Sequence, residues 1–399
     1  MTYLGYPGAT HKRFEHSLGV MELAGRVFDV ITENATDDIR ARLPPLKNPD
    51  EVRYWRRVLR MAALCHDVGH LPFSHAAEQQ LLPDGWDHER LTRAIISCDE
   101  MKSIWERITP PLRPEDIVKL AVGPKKAKDL VFSDWEAVLS EIIVGDAFGV
   151  DRMDYLLRDS HHAGVAYGRF DHYRLVDTLR ILPMPPSGKS GESEEAALGI
   201  EAGGVQSAEA LMLARYFMYS QVYFHPVRRI YDQHLMEFLR EWLPGGTFAT
   251  DVDQHLRYTD NEVTAGLLEA AYDTTKPGHM HARRIVRREH FKVLYERNPD
   301  DVQVNPEAGN AVLDALSTQF GGEYFRHDRY HQRAGPPDFP VRLRDGQTVS
   351  SLAFSETLNH VPIVAVDYVF ADRSILSQAA AWLKAHRGYI VKPTGDVDG

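Results

Sequence analysis

The chain has 399 residues, 43% of them hydrophobic, and its 46 basic and 57 acidic side chains give a formal net charge of −11. This length predicts two domains, or one large domain with an added lobe. The acidic balance argues against non-specific DNA binding and leaves no strong nucleic-acid-binding signal. With two cysteines, no apolar run long enough to span a membrane and no signal-peptide pattern, we expect a cytoplasmic protein that does not enter membranes.

Helical periodicity dominates the first 180 residues. Apolar residues recur at every third or fourth position in RFEHSLGVMELAGRVFDVI (13–31) and in DEVRYWRRVLRMAALCHD (50–67). This spacing predicts two helices, each with one buried face. Gly69 and Pro72 end the second one. The same pattern predicts further helices at residues 87–98, 114–122, 134–145, 150–162 and 171–181.

The pattern changes twice in the second half of the chain. PMPPSGKSGESEEAA (183–197) predicts an exposed loop, and the segments beside it are consistent with a short hairpin. Residues 205–243 predict one or two long helices. Beyond about residue 285, HFKVLYE, YFRHDRY and VPIVAVDYVF predict strands, followed by a helix at 372–386. We therefore predict a mostly α-helical protein with a smaller C-terminal α/β lobe.

A cluster of titratable residues lies in ALCHDVGHLPFSH (63–75). His66 falls on the apolar stripe of its helix, next to Asp67, which predicts a buried imidazole beside a carboxylate. Buried groups of this kind need hydrogen bonds or a metal, and the pair suits a divalent ion such as Mn²⁺, Fe²⁺, Ni²⁺ or Zn²⁺. A bare His-Asp pair is weak evidence, because it also occurs by chance at helix ends with surface histidines. Neighbours on one helix cannot fill a coordination sphere, so other metal ligands must come from elsewhere in the chain.

Two more stretches supply candidate ligands. HKRFEHSLG places His16 near the start of its helix, and GVDRMDYLLRDSHH places Asp151, Tyr155 and Asp159 at i, i+4 and i+8 on one helix face. Taken singly, each residue has an ordinary structural explanation. His16 is equally consistent with an ordinary helix residue, Asp151 with a helix cap and Tyr155 with a core residue. Together they give the order H…HD…D.

Four motifs extend this order: YPGATHKRFEHSLGV, CHDVGHLPFSHAAE, WDHE and VDRMDYLLRDSHHAGV. They resemble the HD-domain metal-dependent phosphohydrolases, and among these the deoxynucleoside triphosphate triphosphohydrolases. The resemblance covers residues 3 to about 235. It implies a helical HD-domain fold. Together with the predicted elements, it gives a catalytic core at 1–182, a loop or hairpin at 183–204, a helical extension completing the nucleotide pocket at 205–284 and an α/β lobe at 285–399.

The resemblance also implies roles for single residues. Four match the ligands of one divalent cation, which we expect to be Mn²⁺, Fe²⁺, Mg²⁺, Ni²⁺ or Zn²⁺: His16, His66, Asp67 and Asp151. Three match active-site histidines, the second of them as the proton donor to the leaving 5′-oxygen: His70, His75 and His88. Six match contacts to the phosphates, the sugar or the base of a dNTP substrate: Arg13, Arg152, Tyr155, Asp159, Arg215 and Tyr223.

The implied reaction is hydrolysis of a deoxynucleoside triphosphate to deoxynucleoside and triphosphate, and the family analogy implies a homo-oligomer. The chain departs from the pattern at its start, because relatives carry an upstream segment beside the sugar; we expect either an upstream extension or a weak, loosely selective enzyme. Base recognition is open at Phe224. The alternatives are another HD phosphohydrolase, acting on a nucleoside monophosphate or a cyclic nucleotide, and a catalytically weak nucleotide-binding regulatory protein.

Overall fold

The computed structural model describes residues 1–73, 78–184, 195–332 and 335–392. Most of the described chain is helical, and its strands form two small sheets. This architecture confirms the predicted mostly α-helical fold class. The described helices before the first strand are α1 (Arg13–Glu33), α2 (Asp37–Arg42), α3 (Pro49–Cys65), α4 (Glu78–Leu81), α5 (His88–Ile96), α6 (Asp99–Arg107), α7 (Pro114–Val122), α8 (Asp134–Val144), α9 (Val150–Ala163) and α10 (His172–Thr178).

Helices α1 and α3 pack against each other along their apolar stripes, and both contact α8. Val27 and Phe28 of α1 and Leu59 of α3 are fully buried in the shared core. Helix α3 begins after Asn48, whose side-chain oxygen caps it by accepting a hydrogen bond from the Asp50 N–H in the first turn. It ends at Cys65, so the next residue, His66, lies at the buried end of the helix.

Helix α9 packs against α1 and α8. Its residues Met153 and Leu156 are fully buried and fix the helix against the core. The side chains of Asp151, Tyr155 and Asp159, four residues apart, therefore share the opposite side of the helix and line a large cavity.

The first sheet corrects one predicted helix. The helix predicted at 171–181 ends at Thr178, because the next residues form strand β1 (Leu179–Pro183), which pairs antiparallel with β2 (Ala196–Glu201). Pairing satisfies the backbone groups of these residues while it buries most of β1. The pair is the hairpin considered from the sequence; residues 185–194, in the exposed loop between its strands, lie outside the described part of the chain.

Two later strands join the same sheet. β5 (Pro340–Arg342) pairs parallel with β2, and β6 (Thr348–Ser350) pairs with β5, in the order β1-β2-β5-β6. Val341 and Leu358 are fully buried in the core that also contains α1 and α3. The segment 339–358 thus packs on the helical core, although the sequence pattern assigns it to the C-terminal lobe, because pairing between distant strands leaves no local signal.

The long helical region at 205–243 consists of two helices. α11 (Val205–Met218) runs into a π-helical turn at Tyr219–Tyr223, and α12 (Pro226–Trp242) begins at a proline that cannot continue a preceding helix. The π-helical turn puts Tyr223 opposite α9. The described helices between residues 243 and 290 are α13 (Val252–His255), α14 (Asp260–Tyr272) and α15 (His279–Val286).

The second sheet lies in the C-terminal part of the chain. Its strands β3 (Lys292–Glu296), β7 (Ala365–Ala371) and β4 (Phe325–His331) are antiparallel in the order β3-β7-β4. Each strand overlaps one of the three strand segments that the sequence predicts. The remaining described helices are α16 (Pro299–Val304), α17 (Ala308–Phe320), α18 (Ser351–Phe354), α19 (Glu356–Asn359) and α20 (Leu376–Ile390). In the described ranges, no helix combines the length and apolar surface needed to cross a bilayer.

Candidate active site

Three helix ends meet at one point of the helical core. The first turn of α1 brings His16, the end of α3 brings His66, and the first turn of α9 brings Asp151. One nitrogen or oxygen from each of these side chains lies within 4.8 Å of the other two. The three residues are separated by up to 135 positions in the sequence, so only the packing of α1, α3 and α9 brings them together.

The tautomer of His16 is set by a second carboxylate. Its Nδ1 lies 2.8 Å from Oδ2 of Asp154, and its Nε2 lies 3.1 Å from Oδ1 of Asp151. Arg158 holds Asp154 in place with two hydrogen bonds of 2.8 Å. When Nδ1–H donates to Asp154, the lone pair of Nε2 faces the cluster, which is the arrangement found around metal-binding histidines.

His66 points the same nitrogen inwards. Its Nδ1 donates to the carbonyl of Ala63 over 2.8 Å, which leaves Nε2 as the acceptor nitrogen. This Nε2 is buried and has no hydrogen-bond partner among the described residues. It lies 3.5 Å from Oδ1 of Asp151. A buried acceptor nitrogen beside a carboxylate fits a divalent cation, because a cation satisfies both groups at once.

Asp67 adjoins this group of three. Its Oδ1 lies 3.3 Å from Nε2 of His66, and its Oδ2 lies 3.6 Å from Nε2 of His16. The same carboxylate accepts a hydrogen bond from the guanidinium of Arg13. All four predicted ligands therefore lie around one centre, with Asp67 shared between the histidines and an arginine.

The carboxylates alter the pKa values of their neighbours. Burial lowers the pKa of His16, but hydrogen bonds with Asp151 and Asp154 outweigh it and raise the pKa to about 9. Burial raises the pKa of Asp151, but hydrogen bonds with His16 and His66 hold it well below its usual range. A cation that binds here must displace a proton from His16, so its affinity depends on pH.

Two of the three predicted catalytic histidines lie beside the cluster. The rings of His70 and His88 stack with centroids 4.0 Å apart, and Nε2 of His70 lies 3.3 Å from Oδ1 of Asp67. Burial lowers the pKa of His70 to about 4, so this residue is neutral at pH 7. His75 lies outside the described residues, and its role as proton donor stays a prediction.

The cluster forms part of the wall of an open cavity of about 2170 Å³. Tyr155, Asp159 and Tyr223 line the same cavity, and the two tyrosine rings meet edge to face with centroids 6.0 Å apart. Both carboxylate oxygens of Asp159 are engaged: Tyr223 Oη donates to one and His11 Nε2 contacts the other, each over 2.7 Å. A ligand ring that carries a hydroxyl group and packs against this side of the cavity would meet the carboxylate of Asp159, which is held between Tyr223 and His11.

The three predicted phosphate contacts are placed differently. Arg13 lines the cavity and contacts Asp67. Arg152 does not line the cavity; its guanidinium donates to the backbone carbonyls of Gly145 and Asp146. Arg215 lies over the ring of Tyr219, outside the cavity. The structure therefore brings one of these arginines to the cluster, and the phosphate roles of the other two stay predictions.

Three residues of the site escape sequence reasoning. Asp154 and Arg158 act on His16 from α9, and His11 acts on Asp159 from the segment before α1. The spacing of Asp154, three residues after Asp151, was a usable signal for a neighbour on the same helix surface. His11 offers no such signal, because it precedes the helix and its partner is 148 residues away.

Comparison with known protein families gives two matches in this chain. Residues 13–123 match the HD domain family, and residues 170–314 match the HD associated region. The first match spans α1 and α3 with their candidate ligands, and the second begins just after α9. The chain therefore contains an HD domain followed by the HD associated region, and it resembles the deoxynucleoside triphosphate triphosphohydrolases among the HD-domain proteins.

Several relatives are similar over much of the chain. It is 34% identical to the uncharacterised Bacillus subtilis protein YwfO over 60% of its own length and 46% of that protein's. It is 27% identical to the deoxynucleoside triphosphate triphosphohydrolase SAMHD1 of Gallus gallus, over 98% of this chain and 62% of the relative. It is 28% identical to the Homo sapiens SAMHD1, over 74% of this chain and 48% of the relative. The chain thus spans about half the length of the curated relatives it matches.

One solved structure resembles the whole fold. The crystal structure of a hypothetical protein from Aquifex aeolicus is 29% identical in sequence and superimposes with a TM-score of 0.74. The similarity covers 96% of this chain and 89% of the other. The shared architecture therefore includes the C-terminal sheet as well as the HD domain.

Proposed function

We propose that the protein hydrolyses deoxynucleoside triphosphates to deoxynucleoside and triphosphate. The observation that carries this proposal is the sequence of side chains along α9. Asp151 belongs to the candidate metal cluster, Tyr155 lies one turn further along the cavity wall, and Asp159 lies two turns further. A nucleotide with its α-phosphate at the cluster would place its sugar against Tyr155 and Asp159, because one helical turn advances by about 5.4 Å.

The chain's own residues suit the parts of this reaction. His16, His66, Asp67 and Asp151 would hold a divalent ion, which when bound would polarise a phosphoryl oxygen and lower the pKa of a water. Water attacks the α-phosphorus, the bond to the 5′-oxygen breaks, and that oxygen takes a proton, so the triphosphate leaves intact. Arg13 supplies positive charge for the phosphates.

The side of the cavity formed by Tyr155, Asp159 and Tyr223, where the sugar would lie, favours 2′-deoxy substrates. The Tyr155 ring packs against Tyr223, so it has little freedom to move away from a bulky substituent. Asp159 is an acceptor held between two partners and suits a 3′-hydroxyl donor. The activity named for the SAMHD1 relatives supports the same substrate class.

The test is product identification with the four dNTPs and the four rNTPs, in Mn²⁺, Mg²⁺ and Co²⁺. We expect intact triphosphate and deoxynucleoside on ion exchange, with a preference for dGTP over GTP that decreases in Tyr155→Ala. His66→Ala, which removes a candidate ligand, serves as the inactive control. Release of orthophosphate would support a different phosphohydrolase, and nucleotide binding without turnover in every metal would support a regulatory role.

A further inference from the structure

A second cluster of histidine and glutamate lies away from the cavity, between α12 and α15. His234 and Glu237 are one turn apart on α12, and His281 lies on α15, which packs against α12. One donor atom from each of the three lies within 4.8 Å of the other two. None of the three lines the cavity of the candidate active site. His234 is fully buried, and the other two side chains are mostly buried.

His281 directs an acceptor nitrogen into this cluster. Its Nε2 lies 3.4 Å from Oε1 of Glu241, whose other oxygen accepts a hydrogen bond from the Gly278 N–H over 2.9 Å. With the proton on Nε2, Nδ1 carries a lone pair. This Nδ1 is buried and lies 2.9 Å from Oε2 of Glu237. Two acceptors at this distance are stabilised by a cation shared between them.

Glu237 is oriented for the same purpose. Arg326 donates to its Oε1, which leaves Oε2 facing both histidines. Nδ1 of His234 lies 3.4 Å from Oε2 of Glu237. Nε2 of His234 accepts one long hydrogen bond of 3.4 Å from the Phe291 N–H. When Nδ1 binds a cation, the proton of His234 must therefore move to Nε2, and the Phe291 N–H loses this acceptor.

Two arginines limit the affinity of this cluster for cations. Arg326 is paired with Glu237. Arg284 forms an ion pair of 3.3 Å with Asp372, and it also lies near Arg326 and Glu237. Burial lowers the pKa of His234, which favours its neutral form. A neutral imidazole can bind a metal without first losing a net charge, and this partly offsets the repulsion by the arginines.

We propose that His234, Glu237 and His281 bind one divalent cation, most suitably Zn²⁺, which joins α12 to α15. Two nitrogens and one carboxylate oxygen form a common zinc ligand set. Donor atoms bonded to one zinc ion at ~2.0–2.1 Å lie about 2.8–3.4 Å apart for bond angles of about 90–110°. The distances from Oε2 of Glu237 to the two histidines fall within this interval.

The candidate active site provides an internal comparison. There too, imidazole nitrogens lie 3.1–3.6 Å from carboxylate oxygens. There too, one histidine nitrogen is buried without a hydrogen-bond partner in the described chain. The second cluster has the same features, although its residues lie on different helices and outside the matched HD domain at 13–123.

The test is zinc titration of the full chain after removal of metals with a chelator. Work in the His66→Ala, Asp151→Ala background separates the two clusters, because this double variant lacks two candidate ligands of the active site. We expect this protein to bind one equivalent of zinc and to melt at a higher temperature in its presence. Adding His281→Ala should abolish both effects, whereas adding His386→Ala, on the remote helix α20, should leave them unchanged.

A second variant covers the case in which His281→Ala fails to fold. Glu237→Gln keeps the size of the side chain and should lower zinc affinity at least tenfold while the circular dichroism spectrum is retained. Co²⁺ provides a spectroscopic check, because its visible absorption reports nitrogen and oxygen ligands in a tetrahedral site. The proposal is wrong if the active-site double variant binds no zinc, or if His281→Ala and Glu237→Gln bind it as well as their parent. Neither result depends on dNTP hydrolysis.

Discussion

His16 and Asp154 are joined by a buried contact of 2.8 Å between Nδ1 of the imidazole and Oδ2 of the carboxylate. The contact links α1 to α9, and it fixes which nitrogen of His16 faces the candidate metal cluster. Asp154 is not itself within the group of three possible ligands. Its effect on a metal would therefore pass through His16.

We predict that Asp154→Asn weakens metal binding by about 10–100-fold, the usual effect of losing the carboxylate that orients a metal-binding histidine. The amide can donate to Nδ1, which would favour the tautomer with its proton on Nε2, facing the cluster. Metal affinity measured by competition with a chelator tests this. Asp177→Asn, an exposed change on the neighbouring helix α10, is the matched control. Equal affinity in the two variants would rule out this role of Asp154.

The raised pKa of His16 predicts opposite pH dependences with and without metal. Its pKa is about 9 in the folded chain, against an ordinary value of 6.5. A raised folded-state pKa stabilises the metal-free protein fully below pH 6.5, and this stability is lost as pH rises through 9. The loss is at most about 3 kcal/mol, from about 1.4 kcal/mol for each unit of pKa. Metal competes with this proton, so metal-induced stabilisation should increase over the same pH interval.

Denaturant unfolding of metal-free protein at several pH values measures this effect. Because other groups also titrate, the informative quantity is the difference between wild type and His16→Asn, which lacks the titrating ring. The free energy of unfolding of wild type should fall more steeply with pH than that of the variant. Parallel pH curves for the two proteins would contradict the prediction.

The local pattern of the sequence was sufficient for the helices that carry the site. The apolar stripe of α3 placed His66 on the buried side, and the spacing of four residues placed Asp151, Tyr155 and Asp159 on one face of α9. Both inferences depend only on helix geometry. The resemblance then related the helices to one another, since periodicity alone cannot say which buried faces meet.

What the sequence could not supply is mostly long-range. The partnership of His11 with Asp159 joins a loop to a helix across the chain, and β5 pairs with β2 over a similar separation. Arg152 shows a different limit: its position next to Asp151 is fixed by the helix, but its direction depends on which carbonyls at the end of α8 can accept its hydrogen bonds.

We predict that Asp159 contributes to substrate recognition through the 3′-hydroxyl. Asp159→Asn should lower kcat/KM for a dNTP by about 10–100-fold, because the amide is a poorer acceptor for a buried hydroxyl. The matching 2′,3′-dideoxynucleotide lacks this hydroxyl, so its kcat/KM should fall little in Asp159→Asn. His11→Ala should produce a smaller change of the same kind, since His11 contacts substrate only through Asp159 in this scheme.

Steady-state kinetics with the two nucleotides measure this selectivity, and Tyr223→Phe provides a matched comparison because it removes the other partner of Asp159 while keeping the ring. If Asp159→Asn lowers kcat/KM equally for the dNTP and the dideoxynucleotide, the carboxylate has a structural role and does not recognise the hydroxyl.

Arg13 and Asp67 allow metal binding to be separated from phosphate binding. Their side chains are in contact, but the resemblance gives them different roles, Asp67 as a ligand and Arg13 as a phosphate contact. Removing a positive charge next to the cluster lowers electrostatic repulsion towards a divalent cation, whereas removing a carboxylate ligand takes away both charge and coordination.

We therefore predict that Asp67→Asn loses bound metal and activity together. Arg13→Gln should bind metal as tightly as wild type, or more tightly, but show a KM for dNTP raised by about 10–100-fold, because a charged hydrogen bond to phosphate is lost. Metal content and steady-state kinetics on the same samples provide both readouts. Glu106→Gln, on α6, controls for a change of surface charge. If Arg13→Gln loses its metal as Asp67→Asn does, the arginine serves to position Asp67, and its assignment as a phosphate contact is wrong.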